Sequence, residues 1–410
     1  NDHLSRTITN RLYDPNDETR IAQSIILGIG GAKLVERLGG ADIYHLNEGH
    51  ALPAFYYLKN KGVGKNQLVF TTHTPEKGGH EERFGPLLND FGFFGRRYRD
   101  EELAKETLGG NHLNYTVAAL RMVKKANAVS KLHARVAREM YKGLSNMSQI
   151  IPITNSQHLN FWQDKKLAQA WKKGNVNTFR SRKKELKQQL FEEVLNQTGK
   201  IFDPGILTLV WARRFAAYKR ADLLLRDLKR FEQLIANSKY PVQIIWAGKP
   251  YPGDRGSITI FNRLVRYTKH KTNLAVLTGY EIGLSKKLKE GSDIWLNTPR
   301  ITREASGTSG MTAAMNGSVN LSTLDGWIPE FIKNGKNGFV LPALDHTLPH
   351  GEQDHLDSQN LYRILEEQVL PTYYEKPDEW SAIVFEALEG VIPQFTSARM
   401  ATEYYKKLYQ

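Results

Sequence analysis

Short apolar runs alternate regularly with helical segments in the second half of the chain, and this alternation limits the fold more than any other property. The runs Ile206–Trp211, Val242–Ala247 and Leu274–Thr278 have the length of buried strands, while Ala221–Asn237 and Gly256–Lys269 between them have helical spacing. Strands that alternate with helices pair in parallel, because a parallel connection needs a crossover. This half therefore predicts a doubly wound parallel sheet.

The first half repeats the alternation with shorter elements. Ala41–Leu46 and Asn66–Thr72 predict strands, and Ala51–Lys59 predicts a helix. A chain of 410 residues exceeds the usual size of one core. We therefore expect two Rossmann-like domains that face a cleft, the GT-B architecture, with boundaries at residues 1–155 and 156–410. The first part has no Gly-rich strand-to-helix loop, so we expect it to be the C-terminal part of an incomplete N-terminal domain.

The chain is basic, with a formal net charge of +14. This balance fits a nucleic-acid protein or an enzyme that handles anionic substrates. Much of the excess lies in two helical stretches, Lys165–Lys173 and Arg180–Lys187, which we interpret as solvated basic faces. No zinc-finger spacing, Gly-rich RNA motif or basic zipper occurs, so we expect no nucleic-acid partner.

Cysteine is absent, which excludes disulfides and thiolate chemistry. No apolar run is long enough to span a membrane and no secretory leader is visible, so we expect a cytoplasmic protein without a membrane partner. The first residue is Asn1, so we expect the true N-terminus to be missing. The histidines His50, His73 and His80 lack metal-ligand spacing, and we expect no metal.

A basic motif follows the strand that ends at Trp211. It reads Trp211-Ala-Arg-Arg-Phe-Ala-Ala-Tyr-Lys-Arg220 and is predicted to open a helix. Arg214 and Lys219 lie five residues apart across the turn, where they can converge on one anion. The alternative is an ordinary solvated basic cluster.

A second motif, Glu304-Ala-Ser-Gly-Thr-Ser-Gly-Met-Thr312, precedes a predicted helix. Its small residues let the backbone approach a ligand closely, and the helix start favours negative charge. The motif therefore predicts a phosphate cradle, with Glu304 available to accept hydrogen bonds from sugar hydroxyls. The alternative is a turn for tight helix–strand packing.

Further polar groups follow other predicted strands. His50 and His73 lie on successive loops, Asn155 lies at the suspected hinge, and Lys249 follows a buried strand. Asp325–Gly326 is as typical of a plain turn as of a site.

These motifs, in this order, resemble the α-glucan phosphorylases of glycogen, starch and maltodextrin, in their short prokaryotic branch. The resemblance runs from about Ser5 to Phe331. It implies a retaining glycosyltransferase that moves glucose between an α-1,4-glucan or maltodextrin and phosphate, with glucose 1-phosphate as product. It leaves the oligomeric state open, a homodimer being one option.

The resemblance also implies roles for matching residues. It assigns the substrate phosphate to Arg214 and Lys219, and the sugar to Glu304, Ser306, Asn155, His50 and the main chain of His73. It assigns pyridoxal phosphate, the family's cofactor, to Gly307, Thr308 and Tyr280 in the second domain.

Thr312 departs from the family pattern, because it occupies the position of the lysine that forms the Schiff base. Threonine has no amine, so the cofactor is expected to be held without a covalent link or to be absent. Thr312 also differs from the glutamate that nucleotide-sugar synthases carry eight residues after the residue matching Glu304. Two alternatives therefore stay open: a nucleotide-sugar-dependent GT-B glycosyltransferase and a non-catalytic glucan-binding homologue.

Overall fold

The computed structural model describes residues 3–12, 14–76 and 79–410. It forms two compact units, of which the second comprises Asn155–Ala401. The first contains the described residues up to Thr154 together with Thr402–Gln410. The sequence-based boundaries stay a prediction, and they differ from these units in assigning the C-terminal segment to the second domain.

The first unit contains a parallel sheet of four strands in the order β1-β2-β5-β6 and a separate antiparallel pair of β3 with β4. Its strands are Tyr44–Asn47 (β1), Leu68–Thr72 (β2), Glu82–Phe84 (β3), His112–Asn114 (β4), Lys125–Ala128 (β5) and Ile150–Pro152 (β6). Its α-helices are His3–Thr7, Asp17–Ile25, Gly31–Arg37, Pro53–Asn60, Gly85–Asp90, Asp100–Glu106, Tyr115–Met122 and Lys131–Met140. The expected strands and helix of this half are present with shifted ends, whereas the β3–β4 pair was not predicted.

The second unit contains one sheet of six parallel strands. The strands are Leu207–Ala212 (β7), Val242–Ala247 (β8), Leu274–Leu277 (β9), Ile294–Asn297 (β10), Val319–Ser322 (β11) and Phe339–Val340 (β12). Their spatial order is β12-β11-β10-β7-β8-β9, which is the order of the Rossmann fold. The direction of winding reverses between β7 and β10, so the loops after these two strands flank a crevice at the carboxyl edge of the sheet.

Helices surround this sheet, and its central strands are buried. The α-helices are Leu159–Trp162, Lys165–Lys172, Val176–Thr198, Leu228–Ile235, Arg255–Thr268, Ile282–Gly291, Thr308–Ala314, Ile328–Phe331, His350–Ile364, Leu370–Glu375 and Pro377–Gln394. The helix Ser397–Glu403 begins in this unit and ends two residues beyond Ala401. Every residue of β7, β8 and β10 is buried, which explains why these strands are continuous apolar runs in the sequence. The prediction of a mixed α/β fold with parallel sheets is confirmed.

Two local predictions were wrong. The segment after β7 does not open directly into a helix, because the 3-10 turns Ala217–Lys219 and Leu223–Arg226 come before the helix Leu228–Ile235. The stretch Arg180–Lys187 is not a wholly solvated face, because Lys183 and Lys187 are only 8% and 2% exposed. Among the described residues, no helix has the length and apolar character needed to cross a membrane.

Candidate active site at the carboxyl edge of the second sheet

Hydrogen bonds to backbone carbonyls connect the loop after β7 with the loop after β10. The amide of Arg300 donates to the carbonyl of Tyr218 over 2.8 Å. The guanidinium of Arg220 donates to the carbonyls of Thr298 and Pro299 over 2.8 and 3.0 Å. These bonds fix the two loops against each other at the strand-order reversal.

Arg220 holds this junction in a strained conformation. Its φ is +50°, a region that costs a residue with a side chain about 1–3 kcal/mol. The fully buried guanidinium forms ion pairs with Asp354 at 3.3 Å and Asp357 at 2.7 Å, both on the helix His350–Ile364. These contacts offset the strain and fix the position of the preceding Lys219.

Glu304 lies at the centre of the crevice. Its Oε2 is 3.2 Å from Nη1 of Arg213 and 3.4 Å from Nζ of Lys219, and all three side chains are largely buried. The Arg214 side chain is exposed. Sequence reasoning paired Arg214 with Lys219 and missed Arg213, the first residue after β7. The assignment of phosphate binding to Arg214 stays a prediction.

The charges of this cluster do not cancel. Burial raises the pKa of Glu304, but the nearby Lys219 and Arg213 outweigh it and hold this pKa below its usual value. Burial lowers the pKa of Lys219 to about 8, although Glu304 opposes the shift. At neutral pH the carboxylate therefore faces three cations, with Arg214 as the third. A net positive crevice of this kind attracts an anion.

Asp325 fixes the backbone of the segment that carries Glu304. Its Oδ2 accepts the amides of Glu304 and Arg303 over 2.7 and 3.0 Å, and its Oδ1 accepts the amide of Gly326 over 2.8 Å. Burial raises the pKa of Asp325 to about 7. A Cβ on Gly326 would lie 2.2 Å from the carbonyl oxygen of Ser306, so only glycine fits. The Asp325–Gly326 turn therefore positions the motif that carries Glu304.

Two buried polar atoms beside Glu304 have no hydrogen-bond partner within the described part of the chain. They are Oγ of Ser306 and Nε of Arg213. An unsatisfied buried donor or acceptor costs about 1–3 kcal/mol, which a ligand can recover. Gly307, with φ +84°, precedes the helix Thr308–Ala314. This arrangement provides groups for a sugar hydroxyl and an anion.

Thr312 is fully buried inside that helix. Its Oγ1 donates to the carbonyl of Ser309 over 2.9 Å. Arg213 donates to Oγ of Ser309 over 3.3 Å, and the hydroxyl of Tyr280 lies 3.4 Å from the carbonyl of Ala212. The cationic residues fit an anionic group, but Thr312 offers no amine and no exposed surface. The site does not fit a covalently attached pyridoxal phosphate.

The first unit has a second cluster at the carboxyl ends of β1 and β2. Glu48, with φ +71°, accepts the His73 amide at 2.6 Å and the Thr74 hydroxyl at 3.2 Å. Burial raises the pKa of Glu48. His50 contacts Glu81 at 3.2 Å. The sequence predictions included His50 and His73 but not Glu48. Glu48 directly follows β1, and this position at the end of a strand could have identified it.

Asn155 begins the second unit, where its carbonyl accepts a hydrogen bond from Arg399 over 3.1 Å. Its expected contact with a sugar stays a prediction. Within the described ranges, no group of three or more histidine, aspartate or glutamate residues has the geometry of a metal site.

The second unit is thus a Rossmann-type domain with a positively charged and incompletely paired site at its strand-order reversal. Residues 115–341 match the family model described as carbohydrate phosphorylase. The chain is 45% identical over its whole length to an uncharacterized protein of Methanocaldococcus jannaschii and covers 77% of it. It is 31% identical to a glycogen phosphorylase of Aquifex aeolicus, over 99% of the chain and 68% of that protein. The chain belongs to the carbohydrate phosphorylase family.

A maltodextrin phosphorylase of Thermococcus litoralis is 34% identical over 98% of the chain. The chain spans only 55% of that protein's length. A glycogen phosphorylase of Mycobacterium tuberculosis is 30% identical, and the chain spans 56% of it.

Proposed function

We propose that this protein is a glycosyltransferase of the α-glucan phosphorylase type. It would transfer glucose, with retention, between an α-1,4-glucan and phosphate and release glucose 1-phosphate. The observation that carries the proposal is the buried contact of Glu304 with Arg213 and Lys219 in a crevice of net positive charge. Family membership supports the same reaction class.

Each residue of the crevice has a role in this proposal. Lys219 and Arg214 bind the substrate phosphate, because their charges exceed what Glu304 neutralises. Glu304 and Ser306 hold sugar hydroxyls, which would satisfy the unpartnered Oγ of Ser306. A bound phosphate beside the sugar stabilises the positive charge that develops on the ring in the transition state.

The first unit is proposed to complete the glucan site. Its candidates are His50, His73 and Glu48, with Asn155 at the start of the second unit. The arrangement of the two units around a cleft is part of this proposal. No step is assigned to pyridoxal phosphate, since Thr312 does not fit its covalent attachment.

The test is phosphate-dependent release of glucose 1-phosphate from maltodextrin by the full-length protein, with and without added pyridoxal phosphate. Release that requires phosphate and is lost in Glu304→Gln supports the proposal. Absence of release in both conditions, from protein that is folded by circular dichroism, contradicts it.

Thr312 itself favours a second candidate, a non-catalytic glucan-binding homologue. This candidate predicts retention of glucan in affinity electrophoresis without turnover from phosphate or from nucleotide sugars. Turnover with a nucleotide sugar would instead favour the nucleotide-dependent alternative.

Thr312→Lys separates these candidates further. If the pocket keeps the family's shape, the variant acquires a pyridoxal imine that is visible by absorbance and by mass after borohydride reduction. A variant that folds but forms no imine would indicate that the pocket has closed around Thr312.

A further inference from the structure

A cavity of about 380 Å³ opens in the second unit at the opposite edge of the sheet from Glu304. Gly205, which precedes β7, and Asp293, which precedes β10, line it. Its volume lies within the roughly 300–1,000 Å³ of small-molecule pockets. The cavity lies at the amino ends of the strands and shares no lining residue with the Glu304 crevice.

The floor of the cavity is charged but fully paired. Lys187 Nζ contacts Asp293 Oδ2 at 2.5 Å and donates to the carbonyl of Ile206 over 2.8 Å. Lys183 Nζ donates to the carbonyls of Glu290 and Asn316, each over 2.8 Å, and to Oγ of Ser318 over 3.2 Å. Two lysines therefore face one carboxylate, and their strong hydrogen bonds go to the protein itself.

Aromatic rings form one wall. Tyr373 and Trp380 are partly buried, with ring centroids 5.1 Å apart at an interplanar angle of 83°. Lys187 Nζ lies 5.9 Å from the centroid of the Tyr373 ring. Such rings present flat apolar surface against which another ring packs edge-on or offset.

The rim carries two further cations from the helix Val176–Thr198. Arg180 is held by Asp378 at 2.8 Å and by the carbonyl of Pro377 at 2.6 Å. Lys184 is exposed, and it forms no ion pair within the described chain. Burial lowers the pKa of Lys183 to about 7, so it contributes only part of a charge at neutral pH. Lys187, Lys184 and Arg180 still outnumber the carboxylates Asp293 and Asp378, which leaves the cavity with net positive charge.

We infer that this cavity binds a small organic anion that carries a flat ring. The ammonium groups of Lys183 and Lys187 on the floor already donate to protein acceptors. The ring of the ligand therefore packs against Tyr373 and Trp380. The anionic group lies at the rim, where Lys184 and Arg180 contact it. The inference is independent of the proposed transferase reaction.

Phenyl phosphate is a suitable probe, and isothermal calorimetry with the full-length protein measures its affinity. Lys184→Glu should weaken binding about tenfold or more, since a charge-assisted contact is replaced by repulsion. Lys184→Arg should retain binding. Lys172→Glu makes the same charge change at an exposed position on the helix Lys165–Lys172, outside the cavity, and should leave binding unchanged.

The Arg214→Ala variant distinguishes this cavity from the phosphate site proposed beside Glu304. In this variant the affinity of the cavity for phenyl phosphate should not change. Measured in Arg214→Ala, so that the phosphate site proposed beside Glu304 is impaired, phenol and inorganic phosphate should each bind more weakly than phenyl phosphate, because each lacks one half of the recognised chemistry. The inference is overturned if phenyl phosphate shows no saturable binding, if Lys172→Glu weakens it as much as Lys184→Glu, or if Arg214→Ala abolishes it.

Discussion

The second unit contains two buried lysine–carboxylate pairs at opposite edges of one sheet. Lys187 and Asp293 lie at the amino edge, 2.5 Å apart. Lys219 and Glu304 lie at the carboxyl edge, 3.4 Å apart. Both pairs remove opposite charges from water, but the first is shorter and the groups that surround the two pairs differ.

The amino-edge pair is saturated with hydrogen bonds. Asp293 also accepts the amide of Thr208 over 2.9 Å, and Lys187 also donates to a carbonyl. Lys219 and Glu304, the carboxyl-edge pair, lie on loops close to two buried atoms without a hydrogen-bond partner, Oγ of Ser306 and Nε of Arg213. Complete pairing indicates charges that hold the fold, whereas incomplete pairing beside strained backbone indicates charges kept for a ligand.

Breaking the saturated pair should produce the largest effect on folding. Asp293→Ala leaves Lys187 buried without its carboxylate and should reduce the free energy of unfolding by about 3–5 kcal/mol. Urea denaturation followed by circular dichroism measures this change. The control is Glu139→Ala, which removes the exposed pair with Lys142 and should leave the urea midpoint unchanged. Equal midpoints for the two variants would contradict the structural role of Asp293.

Breaking the incomplete pair should affect activity instead. Lys219→Ala removes the cation assigned to the substrate phosphate and should lower kcat/KM for phosphorolysis about 100- to 1,000-fold, or ~2.7–4 kcal/mol. Steady-state release of glucose 1-phosphate measures it. Lys229→Ala changes an exposed lysine on a nearby helix and should retain full activity. A Lys219→Ala variant with unchanged kcat/KM would remove Lys219 from the site.

The residues of one of these pairs were easier to single out from the sequence than those of the other. Lys219 and Glu304 were named separately, as a phosphate-binding and a sugar-binding candidate, because loops at the carboxyl ends of parallel strands collect ligand-binding groups. Their contact with each other was not predicted. Buried Lys183 and Lys187 were missed because a basic helical stretch usually indicates a solvated face. Most of their acceptors, such as Asp293, lie more than a hundred residues away and become neighbours only through the tertiary fold.

Within the crevice, too, contacts that form only through the tertiary fold could not be predicted from the sequence. The strand Val242–Ala247 was predicted with its exact ends because every residue in it is buried. Consecutive Arg213 and Arg214 cannot be told apart by spacing, since which one turns inward depends on where Glu304 lies. The sequence indicates a plain turn at Asp325 as much as a site, because an Asp-Gly pair is usually exposed. The burial of Asp325 comes from packing against the loop that carries Glu304.

Asp325→Asn tests the support beneath the incomplete pair. One carboxylate oxygen becomes an NH₂ group, so at least one of the amides of Arg303, Glu304 and Gly326 loses its acceptor. Such a loss costs about 1–3 kcal/mol. We expect a fall of this size in kcat/KM that exceeds the fall in unfolding free energy, because the position of Glu304 changes most. Equal losses in both quantities would indicate a purely structural role.

The smallest expected effect is a pH dependence of the KM for phosphate, and it distinguishes Lys219 from Lys187 most directly. Burial lowers the pKa of Lys219 to about 8, so the cation that binds phosphate is lost as pH rises through 8 rather than above 10. The KM for phosphate should therefore rise about tenfold for each pH unit above 8, measured where phosphate is already a dianion. Lys219→Arg keeps its charge throughout this range, so the rise should disappear in this variant even if its overall affinity is lower. A rise that persists in Lys219→Arg would assign the titration to another group and would leave Lys219, like Lys187, as a charge that only holds the fold.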